Sequence, residues 1–420
     1  MADSARTGGA LKYSGFQIRG QLTIIAAGIA FCCCIGITGA LARDGTTLAK
    51  ASPTEPETLL LNSLREIGDS RMDSALSEIE TLLKANPNFR LAQLIKGDIL
   101  LSRTRAINSL GNVPGASPER ITDLREEARA RVQHHREPVP RDMTPKYLLQ
   151  MQPDQKYAVI ADIGKSRLYM YQNVGGEARY LADYYISSGK NGSQKLKEGD
   201  QKTPIGVYFV TSSLPRKKLT DFYGSGAFPI SYPNEWDKQQ GRNGFGIWLH
   251  GTPSDTYSRA PRASNGCVVL ANQDLDTVAT SLQIGLTPVI ISGEMEWVKP
   301  DDVIALRNEL AQHLEKWRRN WESRNVDTYL AHYGKTFSSG GQNLAGWSQH
   351  KRQVNAAKSW IKVGISNVGM FLYPGRDDLA VVNFMQDYSS NNLSNKMKKR
   401  QYWMKDKEQG RWKIIYEGAA

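Results

Sequence analysis

The sequence has few cysteines. Of the four in 420 residues, Cys32 to Cys34 stand side by side in an apolar run, so Cys267 is the only cysteine outside that run. This excludes a structural disulfide within the rest of the chain, because such a bridge needs two thiols. Cys267 is therefore a buried residue without a chemical role, one half of an intermolecular disulfide, or a reactive nucleophile.

Signatures of metal and nucleotide binding are also missing. The six histidines do not combine with cysteines at metal-ligand spacing, and no glycine-rich phosphate loop is present. His134 and His135 are adjacent on a charged segment, and neighbours on a helix point in different directions. We therefore expect neither a metal nor an organic cofactor.

Only one long apolar run occurs, at residues 21–42, and it carries no charge. Its length suits a membrane-spanning helix, and Lys12 and Arg19 before it place the rest of the chain outside the cytoplasm. Ala40-Leu41-Ala42 also fits a signal-peptide cleavage site, so residues 1–43 are read as a cytoplasmic tail with either an anchor or a cleaved signal. We expect a periplasmic protein whose partner is the inner membrane. An unpaired thiol kept in such an oxidising compartment favours a chemical role.

The chain is basic, with 54 Lys and Arg against 42 Asp and Glu and a net charge of +12. Residues 299–420 alone hold 20 Lys and Arg against 12 Asp and Glu. Such a balance favours anionic partners. For an exported protein we expect an anionic envelope component and no nucleic acid.

The spacing of hydrophobic residues changes along the chain. These changes indicate a multidomain α+β protein in which the N-terminal membrane helix comes first. A polar linker (44–56) precedes a small helical module (57–145), whose three-to-four spacing weakly resembles a tetratricopeptide helix pair. Residues 155–295 show short alternating runs separated by Gly and Pro, which predict a mainly β domain. Residues 300–420 begin with a long helix and continue as strands, which predicts an α+β domain.

The stretch WLHGTPSDTYSRAPRASNGCVVL holds the candidate chemistry. His250 and Cys267 lie 17 residues apart, at the ends of two predicted strands. An imidazolium beside a thiol lowers the thiol pKa and holds the thiolate, and the carbonyl of Gly251 is placed to orient the ring. The turn Ser264-Asn265-Gly266-Cys267 offers successive backbone N–H groups to an oxyanion. A half-buried cysteine with an unrelated histidine is the alternative.

These motifs resemble the YkuD-type L,D-transpeptidases, whose motif is His-Gly, a spacer, then Ser-x-Gly-Cys. GDQKTPIGVYFV resembles the family's Lys-Thr-Pro-x-Gly-x-Phe run, and YAVIADIGKSRLYMY its opening strands, so the likeness covers roughly residues 157–293. The resemblance implies that Cys267 is the nucleophile, His250 the base and Gly251 the source of the orienting carbonyl. It implies attack on the third residue of a peptidoglycan tetrapeptide stem, release of D-Ala and formation of a 3→3 cross-link.

Two positions depart from the family pattern. Asn265 stands where many members have His, and Val269 where many have Arg. The acceptor is thus open between a stem amine, a lipoprotein lysine and water. The alternatives to a transpeptidase are an L,D-carboxypeptidase or amidase, which trims stems or releases attached lipoprotein, and a non-catalytic peptidoglycan-binding scaffold.

Further residues are candidates for substrate binding. The Thr-Pro pair is expected in the wall of the site, the aromatic residues in a groove, and the arginines on stem carboxylates. The alternatives are a β-turn, core packing and solvated surface. The set is Thr203, Pro204, Tyr232, Trp248, Thr252, Arg259 and Arg262.

The C-terminal segment resembles the cystatin-like cone of nuclear-transport-factor-type and SnoaL-like domains. Its long amphipathic helix holds two tryptophans, and its strands end in GRWKIIYEG. His313, His332 and His350 are scattered and form no acid–base set. We expect a binding domain rather than a second catalytic one.

Overall fold

The computed structural model describes residues 55–112, 115–408 and 410–420. The predicted anchor or signal segment and residues 44–54 of the predicted linker lie outside these residues. The linker prediction reached residue 56, but the first helix begins at Glu55. Pro56 is compatible with that helix because a first-turn N–H has no partner within the helix. Among the described residues, no helix is long and apolar enough to span a bilayer.

Four helices open the described chain and enclose a small core of Leu60, Ile79, Leu82, Phe89 and Ile95. Their apolar residues recur at helical spacing, so one face of each helix is buried. The helices are α1 (Glu55–Gly68), α2 (Met72–Ala85), α3 (Arg90–Ser102) and α4 (Pro118–Arg136).

The middle of the chain is mainly β, as its alternating pattern predicts. Its strands are β1 (Thr144–Pro145), β2 (Leu148–Gln150), β3 (Tyr157–Asp162), β4 (Arg167–Val174), β5 (Glu177–Tyr185), β6 (Ser188–Gly189), β7 (Gly206–Phe209), β8 (Leu214–Pro215), β9 (Gly226–Pro229), β10 (Trp248–His250), β11 (Arg262–Ser264), β12 (Val268–Val269), β13 (Pro288–Ser292) and β14 (Trp297–Val298). Two helices interrupt them, α5 (Glu235–Gln239) and α6 (Asn272–Ala279).

Two sheets of this region face each other across one core. The five-stranded sheet has the order β5-β4-β3-β13-β7, and the four-stranded sheet the order β12-β10-β9-β8. Leu168 and Met170 of the first sheet share a buried cluster with Leu249 and Val268 of the second. The four-stranded sheet is therefore held rigidly, and it carries the segments that hold His250 and Cys267.

The C-terminal region is α+β. Its elements are α7 (Pro300–Glu322), α8 (Val326–Leu330), β15 (Ser338–Ser339), β16 (Gln342–Asn343), α9 (Leu344–Ala356), β17 (Ile361–Leu372), β18 (Leu379–Ser390), β19 (Leu393–Lys405) and β20 (Trp412–Ala419). The long strands form one sheet in the order β2-β17-β18-β19-β20, so the short strand β2, which precedes β3 in the chain, joins its edge. Trp317, Trp403 and Trp412 fill the core between this sheet and α7.

The two β regions are packed together. Tyr169 and Tyr171, on the outer face of the five-stranded sheet, share a buried cluster with Phe371, Val381 and Tyr402 of the C-terminal sheet. The outer face of the five-stranded sheet is thus covered as well as its inner face. This explains why β3 and β4 are apolar on both faces.

Candidate active site

A parallel strand pair sets the segments that carry the thiol and the imidazole side by side. β10 pairs with β12, with Leu249 opposite Val268 and His250 opposite Val269. Because side chains alternate along a strand, Leu249 and Val268 point into the core while His250 and Val269 point the other way. Cys267 immediately precedes β12, so this pairing sets it beside the start of β10, which ends at His250. The fold thus brings together the two residues that the sequence analysis singled out.

The turn before the cysteine needs glycine and is braced by hydroxyls. Gly266 has φ of +123°, and a Cβ there would lie 2.8 Å from the carbonyl oxygen of Lys202. Ser264 Oγ donates to the Cys267 carbonyl at 2.6 Å. Thr203 Oγ1 donates to the Gly266 carbonyl at 3.0 Å and accepts from the Gly189 N–H at 2.8 Å. Thr203 is buried, so it fixes the turn from behind rather than touching a substrate.

Replacing Thr203 by valine is expected to lower kcat/KM about 10- to 100-fold with the fold retained. The change keeps the shape of the side chain but leaves the Gly266 carbonyl and the Gly189 N–H without their partner, at a cost of about 1–3 kcal/mol. The Cys267 thiol is then held less firmly in place. Steady-state kinetics on a stem peptide measure the effect. Thr211→Val is the matched control, since its exposed hydroxyl bonds only the Pro229 carbonyl. Equal activity of both variants would contradict the role given to Thr203.

The backbone donors of the turn differ from the expectation. The Gly266 N–H donates to Ser264 Oγ at 3.1 Å, so it is not free for an oxyanion. The N–H groups of Asn265 and Cys267 have no hydrogen-bond partner within the described residues. These two amides are the remaining donors for a negative oxygen beside the thiol.

A hydrogen bond sets the tautomer of the histidine. His250 Nδ1 donates to the carbonyl oxygen of Gly251 at 2.7 Å, which leaves Nε2 as the proton acceptor. Gly251 has to be glycine, because a Cβ there would overlap Asn272 Oδ1. Asn272 holds this corner by accepting from the Ser225 N–H at 2.9 Å and donating to the Thr252 carbonyl at 2.9 Å. Nothing in the sequence around Asn272 relates it to this corner, because only its place at the start of α6 brings it here.

Aromatic residues surround the imidazole. The ring centroids of Phe222 and Tyr223 lie 5.8 Å and 5.2 Å from that of His250. Tyr223 also packs on Trp248 at 4.8 Å, and the guanidinium of Arg259 lies 4.9 Å from the Phe222 ring centroid. Phe222 and Tyr223 were missed, because nothing in the segment Asp221–Tyr223 relates it to a histidine 27 residues later.

The electrostatics favour an uncharged pair at rest. Burial raises the pKa of the Cys267 thiol, and the Trp248 amide, Arg259 and Lys195 oppose this only in part. Burial lowers the pKa of His250 to about 4, with Arg259 acting in the same direction and the Gly251 carbonyl against it. The thiol donates to the Gly246 carbonyl at 3.3 Å, which requires its proton. Burial thus works against the resting thiolate and imidazolium that the sequence led us to expect.

The remaining predicted substrate residues divide into two groups. Tyr232 is a core residue whose hydroxyl donates to the Asn243 carbonyl at 2.9 Å, and buried Thr252 donates to the Tyr257 carbonyl at 3.2 Å. Both placements argue against substrate contact. Pro204 is buried beside Thr203, whereas Arg262 is exposed on β11. Of the predicted set, Trp248 and Arg259 lie beside the thiol and the imidazole.

Over residues 55–112, 115–408 and 410–420, no three His, Cys, Asp or Glu side chains stand together in a way that could hold a metal ion.

Comparison with known proteins agrees with this geometry. Residues 156–291 match the L,D-transpeptidase catalytic domain of the YkuD family, and residues 309–418 match the Cds6 C-terminal NTF2-like domain. Bd1075 of Bdellovibrio bacteriovorus is 28% identical, with a TM-score of 0.58 over 66% of this chain and 98% of that one. Pgp2 of Campylobacter jejuni, a helical cell shape determining protein, is 26% identical, with a TM-score of 0.57 over 65% of this chain and 95% of that one. A search of curated proteins finds no match. The chain thus carries a YkuD-type L,D-transpeptidase catalytic domain followed by an NTF2-like domain, as its sequence motifs predict.

Proposed function

We propose that this protein is an L,D-transpeptidase that acts on peptidoglycan tetrapeptide stems through an acyl-enzyme on Cys267. The observation that carries the proposal is the His250–Gly251 pair set beside the Ser264–Cys267 turn in a YkuD-type domain. The similarity to Pgp2, a cell shape determining protein, supports a role in the cell wall.

In the acylation step, the Cys267 sulfur attacks the carbonyl carbon of the third stem residue while its proton moves to His250 Nε2. The carbonyl oxygen becomes an oxyanion and accepts hydrogen bonds from the Asn265 and Cys267 amides. When this intermediate collapses, the C–N bond to D-Ala breaks. The departing amine takes the proton from His250, and a thioester remains on Cys267.

In the transfer step, the amine of a second stem loses a proton to His250 Nε2 and attacks the thioester carbon. The C–S bond breaks, the sulfur regains the proton from His250, and a new amide is formed. The neutral resting pair suits both steps, because His250 has to accept a proton at the start of each.

Hydrolysis of the thioester is the second candidate function. Val269, where many family members have Arg, is buried and exchanges backbone hydrogen bonds with Ser187. This strand therefore offers no cation to hold the carboxylate of an acceptor stem. With water as the acceptor, the same acyl-enzyme makes the protein an L,D-carboxypeptidase, or an amidase that releases attached lipoprotein.

We further propose that the protein works in the periplasm, with residues 21–42 as an inner-membrane anchor or a cleaved signal. The basic NTF2-like domain is then placed to bind an anionic component of the envelope. Fractionation of cells, with N-terminal sequencing of the protein, distinguishes the anchor from the signal. A full-length protein recovered in the cytosol would contradict this location.

The acid limb of the kcat/KM profile is expected near pH 4. Burial depresses the pKa of His250, so the imidazole stays a competent base well below its usual range and activity falls only as pH drops through about 4. Arg259→Ala is expected to move this limb to higher pH, because the guanidinium charge lowers the pKa of His250. An acid limb near pH 6.5 in the unmodified protein, or an acid limb that Arg259→Ala does not shift, would contradict the assignment of His250 as the base.

Product analysis tests the proposal. The full-length protein is incubated with a disaccharide-tetrapeptide, and the products are separated by mass. Free D-Ala together with a 3→3 dimer supports the transpeptidase, whereas free D-Ala with a tripeptide stem and no dimer supports the hydrolase. No turnover, with activating partners supplied from an envelope extract, would favour the non-catalytic scaffold.

A further inference from the structure

The turn between α2 and α3 packs against the loop that leads from the histidine towards the cysteine. The turn is residues 86–89, and the loop is residues 252–259, which directly follow Gly251 and end at Arg259. Both helices lie outside residues 156–291, the part that matches the catalytic domain. A loop beside the candidate active site is thus held by residues from outside that domain.

Asn88 and Phe89 make the main contacts with the loop. Asn88 Nδ2 donates a hydrogen bond to the Ser254 carbonyl at 2.8 Å, and the Asn88 carbonyl accepts one from the Tyr257 N–H at 3.2 Å. The ring centroids of Phe89 and Tyr257 lie 4.3 Å apart. Phe89 is 1% exposed in the close-packed core of the helices, so the Tyr257 ring rests on a side chain that is itself fixed.

Two further contacts surround this pair. Asn86 Oδ1 accepts a hydrogen bond from Gln273 Nε2 on α6 at 3.1 Å, which ties the turn to the catalytic domain. Arg90 pairs with Asp255 at 3.1 Å, but both side chains are more than half exposed, so this ion pair contributes little. The loop is therefore held mainly by the two hydrogen bonds and the aromatic contact.

The loop in turn holds Phe222 against the imidazole. The N–H and the hydroxyl of Ser254 donate to Asp221 Oδ2, at 3.0 Å and 2.9 Å. Asp221 immediately precedes Phe222, whose ring centroid lies 5.8 Å from that of His250. Asn88 thus reaches the histidine through Ser254 and Asp221.

The far end of the loop carries Arg259. Its guanidinium lies 4.9 Å from the Phe222 ring centroid, and Ser258 Oγ, one residue earlier, donates to Glu127 of α4 at 2.6 Å. Burial lowers the pKa of His250, and the Arg259 charge acts in the same direction. Movement of the loop would let water reach the imidazole and take the cation away, and both changes raise the pKa of His250.

We propose that Asn88 and Phe89 are positioning residues of the candidate active site. By holding the 252–259 loop, they keep Phe222 and Arg259 beside the imidazole, so that this ring stays buried and uncharged. The consequence for catalysis rests on the proposed function, whereas the consequence for the imidazole does not.

Two variants loosen the loop from opposite sides. Asn88→Ala removes the hydrogen bond to Ser254, and because Asn88 is exposed the protein is expected to fold. Tyr257→Ala removes the ring that packs on Phe89 and leaves the buried residues of the helices unchanged. Asn62→Ala is the matched control, because its side chain bonds within α1 rather than to the loop.

The measurement on the imidazole needs no peptidoglycan. Diethyl pyrocarbonate modifies the neutral imidazole, so the pH dependence of its reaction with His250, mapped by mass spectrometry, gives the pKa of that residue. We expect a pKa of about 4 in the full-length parent, about 0.5 to 1 pH unit higher in Asn88→Ala and higher still in Tyr257→Ala. Hydrogen exchange should be faster at residues 252–259 in both variants and unchanged in β3 and β4, because the effect is local.

The measurement on catalysis is D-Ala release from a disaccharide-tetrapeptide. We expect kcat about 3- to 10-fold lower in Asn88→Ala, with the acid limb of the kcat/KM profile moved to higher pH together with the His250 pKa. In the Arg259→Ala background, Asn88→Ala should move the limb less, because part of its effect runs through Arg259. A residue that only stabilised the fold would leave the limb in place.

A pKa of His250 that is unchanged in both variants, or that moves equally in Asn62→Ala, would overturn the proposal. So would variants in which this pKa moves while D-Ala release keeps the rate and pH profile of the parent. If the parent releases no D-Ala, the proposed function fails, and the modification of His250 still decides whether the turn positions it.

Discussion

Replacing Cys267 by alanine is expected to abolish release of D-Ala from a tetrapeptide stem, and replacing His250 by glutamine to lower kcat/KM by about 1,000-fold or more. The proposed reaction makes the Cys267 sulfur the nucleophile and His250 Nε2 the base, since the Gly251 carbonyl occupies Nδ1 and leaves Nε2 to receive the proton. Because the two groups act as a unit, the double variant should be no worse than Cys267→Ala alone.

The measurement is the rate of D-Ala release by each full-length variant. His135→Gln is the control for the histidine change, because His135 is exposed on α4. Cys267→Ser should also be inactive while its melting temperature stays close to that of the parent, since serine has nearly the size and shape of cysteine. Wild-type rates in Cys267→Ala would refute the assignment of the nucleophile.

Replacing Arg131 by alanine is expected to cost about 3–5 kcal/mol of the free energy of unfolding. Arg131 is 3% exposed on α4, and it pairs with Glu127 at 2.8 Å and with Glu57 of α1. Its guanidinium also lies 3.9 Å from the ring centroid of Tyr185 on β5. Removing the cation leaves the buried Glu127 carboxylate without an ion-pair partner among the described residues and leaves Glu57 with only Arg167, at 3.4 Å.

Denaturant titration of Arg131→Ala measures the loss, with Arg129→Ala on the same helix expected within about 0.5 kcal/mol of the parent. The network also reaches the active site, because Glu127 accepts a hydrogen bond from Ser258 Oγ at 2.6 Å, next to Arg259. Variants that remain folded are therefore expected to lose activity as well. An Arg131→Ala protein as stable as the parent would mean that these charges are solvated in solution.

The sequence was informative where function depends on a short segment. The His-Gly pair and the Ser-x-Gly-Cys turn are local, and the turn has the hydroxyl brace and the positive φ that such a segment requires. The mainly β region and the α+β region could also be predicted, because the spacing of hydrophobic residues shows which face of a single strand or helix is buried.

The parts that escaped prediction depend on contacts between distant segments. Asn272 reaches the Gly251 corner only because α6 follows β12, and Tyr223 meets His250 through a loop before β9. The uncharged state of the thiol and the imidazole arises from burial, which spacing does not report. The pairing of β2 with β17 likewise joins strands more than 200 residues apart.

Trapping the covalent intermediate tests the central claim most directly. The full-length protein is mixed briefly with a disaccharide-tetrapeptide, quenched in acid, digested and mapped by mass spectrometry. The account predicts a thioester adduct of the disaccharide-tripeptide on Cys267 that is absent from Cys267→Ala and strongly reduced in His250→Gln. D-Ala released with no adduct, or an adduct on another residue, would contradict it.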